Sequence, residues 1–205
     1  MTEEKKRLID ELVQREWSMF QRVNNEGGRA DCQDDWPTFH VMREAQYTPW
    51  PEELTAMVNN DFKEAEADGR NLVMEKYARM MASTAPERYR QIEPYLPALE
   101  EDQLRLAEQI IAVHKKWMAE HAERYPGLTA QGRPLYTEQD SEWETSSETY
   151  LRGELLTWST FTLKEYLRFV RKCEAEGRNL VTEQDEYATK AYGYDSLGEA
   201  ELRYR

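Results

Sequence analysis

Asp68-Gly69-Arg70-Asn71-Leu72-Val73 and Glu176-Gly177-Arg178-Asn179-Leu180-Val181 share five of six residues at a spacing of 108 positions. In each, a glycine stands where a helix can end on a left-handed residue, and an asparagine follows where it can cap the next helix. Working outward from the first copy, Leu54, Met57, Val58, Phe62 and Ala65 recur at helical spacing before it, and Leu72, Val73, Tyr77, Met80 and Met81 after it. Further matches follow the same shift with small drift: Trp17 with Trp117, Gly28-Arg29 with Gly132-Arg133, and Met42-Arg43 with Leu151-Arg152. These matches predict an all-α, two-lobed helical bundle arising from an internal duplication. Residues 1–97 form the first half and 98–205 the second, together making one compact domain. A unit of about 100 residues is too long for a solenoid repeat of about 20–50.

The remaining elements fit this plan. Thr2-Glu3-Glu4 opens a first helix carrying Ile9, Leu12, Val13, Trp17, Phe20 and Val23, which Gly27-Gly28 is expected to stop. Asp35 before Trp36-Pro37 caps a short helix to about Tyr47, and Pro51 opens the third. Pro86, Pro94 and Pro97 mark the joint between halves. Beyond it, Leu104, Ala107, Ile110, His114, Trp117 and His121 form the stripe of a long helix ended by Pro126-Gly127. Thr145-Ser-Ser-Glu148 reads as a capping box for a helix bearing Tyr150, Leu151, Leu155 and Trp158. No segment alternates with period two between turn residues, so no strands are expected.

Composition narrows the function. There are 27 Lys and Arg against 40 Asp and Glu, a net charge of −13. Such a balance opposes nonspecific nucleic-acid binding, which draws its affinity from basic residues displacing counterions. Mean hydropathy is −0.92, and the most continuous apolar run is Ile110-Ile111-Ala112-Val113, far short of the about 20 residues of a membrane helix. With no export signal at residues 1–26 and only Cys32 and Cys173 as thiols, a cytoplasmic location is expected. The chain lacks the glycine-rich phosphate and dinucleotide loops, so no cofactor of that kind is expected.

Three arginine pairs occupy matched positions: Arg29 with Arg133, Arg43 with Arg152, and Arg70 with Arg178. A guanidinium fork suits carboxylate or phosphate, so Arg29, Arg133 and Arg152 are candidates to hold an anion; the alternative is structural pairing, as in Glu148 with Arg152 at i,i+4. The loop Arg29-Ala-Asp31-Cys32-Gln-Asp34-Asp35 is the densest mixture of charge and nucleophile. Three carboxylates in five positions repel, which favours a raised pKa and a proton-transfer role for one of them; the alternative is that Asp34 or Asp35 caps a helix. Cys32, beside carboxylates that oppose its thiolate, is expected to be a half-buried thiol rather than a nucleophile. Gly153 interrupts the helix of Tyr150, Arg152 and Glu154, which predicts a close helix approach or ligand access there. His114 and His121 stand about 10 Å apart along one helix, too far to share one ion, so no metal is expected.

Glu26-Gly-Gly-Arg-Ala-Asp-Cys-Gln-Asp-Asp35, Glu75-Lys-Tyr-Ala-Arg-Met-Met81, Gly132-Arg-Pro134, Glu148-Thr-Tyr-Leu-Arg-Gly-Glu-Leu155 and Glu176-Gly-Arg-Asn-Leu180 together resemble the bacterial family catalogued as domain of unknown function 4125. The resemblance spans nearly the whole chain, carries no settled reaction, and implies a nucleotidyltransferase-like protein partner. The leading expectation is a polar pocket between the lobes for a small anionic or amino-acid-like metabolite. Arg29 with Arg133 or Arg152 holds its anion, with Cys32 and Asp34 nearby, Asp31 or Glu154 moves protons, and Tyr150 orients it. The rival is a noncatalytic regulatory or interaction module whose acidic surface meets a basic protein partner.

Overall fold

The computed structural model describes residues 1–24 and 28–204. Among them are eleven α-helices, three single 3-10 turns and no strand. Contacts divide the chain into two units, Met1–Met74 and Glu75–Arg205. The repeat halves expected at 1–97 and 98–205 concern ancestry and are a separate matter from this division.

In the first unit α1 (Glu3–Gln21) packs against α2 (Trp36–Tyr47) and α3 (Glu52–Ala67). Thr2 caps α1 by accepting from the Lys5 amide at 3.1 Å, and Asp35 caps α2 by accepting from the Thr38 amide at 3.1 Å, as their positions predict. Ile9, Leu12, Val13, Met19 and Phe20 of α1 are buried, as are Leu54, Val58, Phe62 and Ala65 of α3; each large side chain so removed from water contributes about 1.5–3 kcal/mol. One charged group is buried with them. Glu16 of α1 accepts from Arg43 (2.9 Å) and from Tyr47, so its carboxylate does not stand alone in the core. Helix α1 has already ended at Gln21, where the Arg22 and Val23 amides close on Met19 and Phe20 carbonyls. Gly27, expected as its stop, and Glu26 lie outside the described residues.

Helix α4 (Leu72–Thr84) leads into the second unit. There the long α6 (Glu101–Arg124) packs against α8 (Ser147–Leu155), α9 (Thr160–Ala175) and α10 (Leu180–Ala191). The buried face of α6 follows the predicted stripe at Ala107, Ile110, His114, Trp117 and His121 but not at Leu104, which is 44% exposed; Leu106, Ile111, Val113 and Met118 are buried with it. The proline-rich joint holds more structure than punctuation implied: Pro86 starts α5 (Pro86–Ile92), because a first-turn proline forfeits no helical hydrogen bond. Pro126 similarly starts the short α7 (Pro126–Thr129). A C-terminal helix, α11 (Leu197–Tyr204), has no counterpart in the predicted plan. It docks on α7 through the buried Glu201, whose carboxylate accepts from the Gly127 (2.9 Å) and Leu128 (2.8 Å) amides.

The twin motifs have matching geometry. Gly69 and Gly177 have φ of 71° and 68°, and the amides of Arg70 and Arg178 return to the Ala65 (2.8 Å) and Cys173 (2.9 Å) carbonyls. Asn71 caps α4 through the Met74 amide while donating to the Met19 carbonyl at 2.8 Å; Asn179 caps α10 through the Thr182 amide while donating to the Trp117 carbonyl at 3.0 Å. Trp50 and Trp158, both buried, also stand 108 positions apart. The carbonyls that receive the two asparagines belong to Met19 and Trp117. Trp17 belongs to a half-buried cluster with Trp36 and Phe39, whereas Trp117 is in the core against His114. The cap of α8 also moves by one residue from its expected position. Ser146, not Thr145, accepts from the Thr149 amide, because the Ser146 amide is held by Asp140 at 2.6 Å.

Candidate functional site

The second unit contains an open cleft of about 1040 Å³. Its walls come from α4 (Arg79, Ala82, Ser83), the segment after α5 (Glu93 to Leu99), the start of α6 (Leu104), the 3-10 turn at Thr137–Gln139, and α8 (Thr149, Arg152, Gly153). Helices α4 and α8 meet closely enough to form a wall because Gly153 has no side chain. A Cβ there would lie 2.8 Å from Met80 Cγ and 2.9 Å from the Lys76 carbonyl oxygen. The anomalous glycine is thus explained by close helix approach, and it also lines the cleft.

Along one wall the polar groups form a connected, directional chain. Arg152 donates from Nη1 to the Thr137 hydroxyl at 3.0 Å, which leaves Thr137 to donate to Thr149 at 2.9 Å, and Thr149 to donate to Asp140 at 2.6 Å. The other arms of Arg152 grip Glu108 (Nε, 2.7 Å; Nη2, 3.2 Å) and Glu148 (2.9 Å). Glu148 is buried, yet it also receives Lys115 Nζ at 2.9 Å and the Thr137 amide at 3.2 Å. Burial raises its pKa, but these donors outweigh burial and hold the carboxyl below the ordinary range. Asp140 behaves likewise: burial raises it, and hydrogen bonds from Ser83, Thr149 and Ser146 bring it down.

Behind Gly153 lies a second cluster. Lys76 Nζ is 2.5 Å from Glu154 and 3.4 Å from the centre of the Tyr150 ring, with both charged side chains 7% exposed. Glu154 also acts electrostatically on Tyr166, whose hydroxyl is 3.0 Å from His114 Nε2. Complete burial pushes the His114 pKa down to about 4, so this imidazole is neutral near pH 7; burial pushes the Tyr166 phenol up. Lys76 and Tyr166 were missed by sequence reasoning. The signal for Lys76 was present, since it shares α4 with Leu72, Met80 and the other core residues, but a lone lysine on that stripe reads as solvated unless the facing Glu154 is known.

The predicted residues fall into two groups. Arg133, Tyr150, Arg152 and Glu154 lie in the second unit. Arg152 has its fork committed as described. Arg133 is exposed, rests 4.8 Å from the Tyr150 ring centre and donates to the Thr145 carbonyl at 3.3 Å. Tyr150 stacks on Lys76 and meets the edge of Tyr77. Arg29, Asp31, Cys32 and Asp34 lie in the first unit, on the loop from α1 to α2. There Arg29 donates to Asp34 (2.9 Å), to the Gln33 carbonyl (2.7 Å) and to Gln21. The hydrogen bond from Arg29 lowers the Asp34 pKa, the reverse of the rise expected for one of three crowded carboxylates. Sequence reasoning also missed Gln33. It is buried, donates to the Phe20 and Val23 carbonyls at the end of α1 (2.9 and 3.1 Å), and accepts from the Ala30 amide, pinning the loop. Cys32 is exposed rather than half-buried, because the 3-10 turn directs Gln33 inward in its place. Among the described residues, no group of three or more His, Cys, Asp or Glu is placed to hold a metal, and no helix is long and apolar enough to cross a membrane.

A family model described as "Protein of unknown function (DUF4125)" matches residues 6–202. No curated protein and no solved structure matches the chain.

Proposed function

The chain belongs to that family, and we propose that it binds a small amino-acid-like molecule in the cleft of the second unit. The observation that supports this is a concavity of about 1040 Å³, at the upper end of ordinary ligand sites, with an apolar side and a preorganised polar wall. The polar wall needs no ligand to satisfy it, so a ligand meets a rigid surface and loses little to ordering the protein. In this proposal Arg152 and Glu148 act by holding the wall in place. Tyr150 and Glu154 act one layer behind, where they position Lys76 and α4 against α8. Arg29, Asp31, Cys32 and Asp34 are read as a loop of the first unit tied down by its own bonds. Binding rather than catalysis is proposed, since Glu154 would have to leave Lys76 before it could move a substrate proton.

A thermal-shift panel of amino acids on the full chain tests this, with Ala82→Phe to occupy the cleft. A ligand at a hundredfold excess over its Kd stabilises by about 2.7 kcal/mol, and that gain should vanish in Ala82→Phe while persisting in Lys172→Ala, on the outer surface. Absence of any ligand-dependent shift, or a shift indifferent to Ala82→Phe, counts against the proposal.

A second reading, an interaction module, is favoured by Tyr95 and Trp143, which are 88% and 89% exposed on a chain of net charge −13. It would show as stoichiometric capture of a basic protein that Trp143→Ala abolishes and amino acids leave unaffected.

A further inference from the structure

Resting on the proposal that this cleft is a ligand site, the charges around it point to the sign its ligand carries. The cations of the lining are committed. Arg152 is engaged by Glu108, Glu148 and Thr137, and Arg79 donates to the Pro97 carbonyl at 2.8 Å and bonds Tyr89. Lys115, behind the same wall, is held by Glu148. An anionic ligand would find four of the five Arg152 N–H groups already in use, and taking Nη2 would leave Glu148, a carboxylate 4% exposed, buried with one cation fewer. The carboxylates of the lining are differently placed. Glu148 is consumed, but Glu93 and Glu138 are exposed at the cleft; Glu93 has a neutral partner in Tyr89, and Glu138 acts on Lys115 only at a distance. Each keeps lone pairs for a cation. The same cleft is lined by Leu96, Leu99, Leu104 and Leu156, and Leu104 is 44% exposed although it sits in the wall. The net charge of −13 also raises the local concentration of cations over anions.

We propose that the cleft selects an amphipathic cation: an organic ammonium that sets its charge against Glu93 and Glu138 and lays an apolar chain across Leu96, Leu104 and Leu156. Of the two ligand classes left open by the sequence, the purely anionic one is then disfavoured, and the amino-acid-like one is held through its ammonium end and apolar side chain.

The test uses three series of probes on the full chain at low salt: straight-chain amines of four to eight carbons, alcohols of the same lengths, and carboxylates of the same lengths. Binding is followed by calorimetry. The expected order is amine, then alcohol, then carboxylate. Affinity should rise about fourfold per methylene within a series, as burial of apolar surface dictates, and the amine should exceed its alcohol about tenfold. The Glu93→Gln/Glu138→Gln double variant, which changes only exposed groups, should reduce the amine to the level of the alcohol, as should high salt. Amine and alcohol binding equally, or carboxylate binding best, overturns the charge assignment while the cleft stands as a ligand site. If no series binds, or binding is unaffected by Ala82→Phe, the cleft proposal fails and this one with it.

Discussion

Gly153→Ala isolates the contact between α4 and α8. The added methyl would sit 2.8 Å from Met80 Cγ and 2.9 Å from the Lys76 carbonyl oxygen, where ordinary contact requires at least 3.4 Å. Met80 can rotate aside, but the carbonyl is fixed in a helix, so the two helices must part by about half an ångström. Overpacking of this kind costs about 2–3 kcal/mol, set against about 1 kcal/mol gained by replacing a helical glycine with alanine. The expected net loss is about 1–2 kcal/mol, which lowers Tm by roughly 3–6 °C for a chain of this size. Denaturation by urea and heat measures it, with Gly198→Ala as comparator. Gly198 also lies in a helix, but its methyl would meet only Ser196 Oγ at 3.8 Å, so that variant should be neutral or more stable. If Gly153→Ala matched or exceeded the parent in stability, the close approach of α4 and α8 would be wrong, and the wall of the cleft with it.

Lys76→Met alone should cost about 3–5 kcal/mol by leaving Glu154 charged and buried, while Lys76→Met with Glu154→Leu should recover most of that loss in a double-mutant cycle of urea titrations. His114 has a folded pKa of about 4 against an ordinary 6.5, so the unfolded chain takes up a proton first as pH falls; its contribution is complete above pH 6.5 and is lost between 6.5 and 4, by up to about 3 kcal/mol. His114→Gln, still able to bond Tyr166, should flatten that part of the stability–pH curve, and an unchanged slope would refute the assignment. Glu201→Gln should weaken the docking of α11 by about 1–3 kcal/mol, seen as faster amide exchange in residues 197–204. One thiol, Cys32, should react with a thiol reagent in the native chain and two after unfolding, since Cys173 is buried and its pKa is raised by that burial.

The helices were legible wherever a local rule governed them. Thr2, Asp35, Asn71 and Asn179 cap because a short polar side chain reaches an amide two or three residues on, and that geometry is written in consecutive positions. The polar wall was only half legible. Glu148 with Arg152 is a one-turn pair and could be read directly, whereas Glu108, Lys115 and Thr137 come from other elements and arrive through the packing of α6 and α8. Gly153 was recognised as anomalous without showing what approached it. The Arg29 loop misled because charge density alone does not distinguish a reactive cluster from one that ties itself together. Gln33, the residue that pins that loop, carries no charge and attracted no notice.

The paired Gly-Arg-Asn turns also bear on what a resemblance within one sequence means. Glycine is required there by a positive φ, asparagine by the need for one side chain to donate backward and accept forward, and leucine by a fully enclosed site. Aspartate could supply the acceptor, but it has no N–H to donate backward. Two unrelated junctions built to this shape would therefore converge on the same three letters. What physics leaves free is the shared arginine, Arg70 and Arg178, and the valine that follows each leucine, together with the same interval of 108 positions between Trp50 and Trp158.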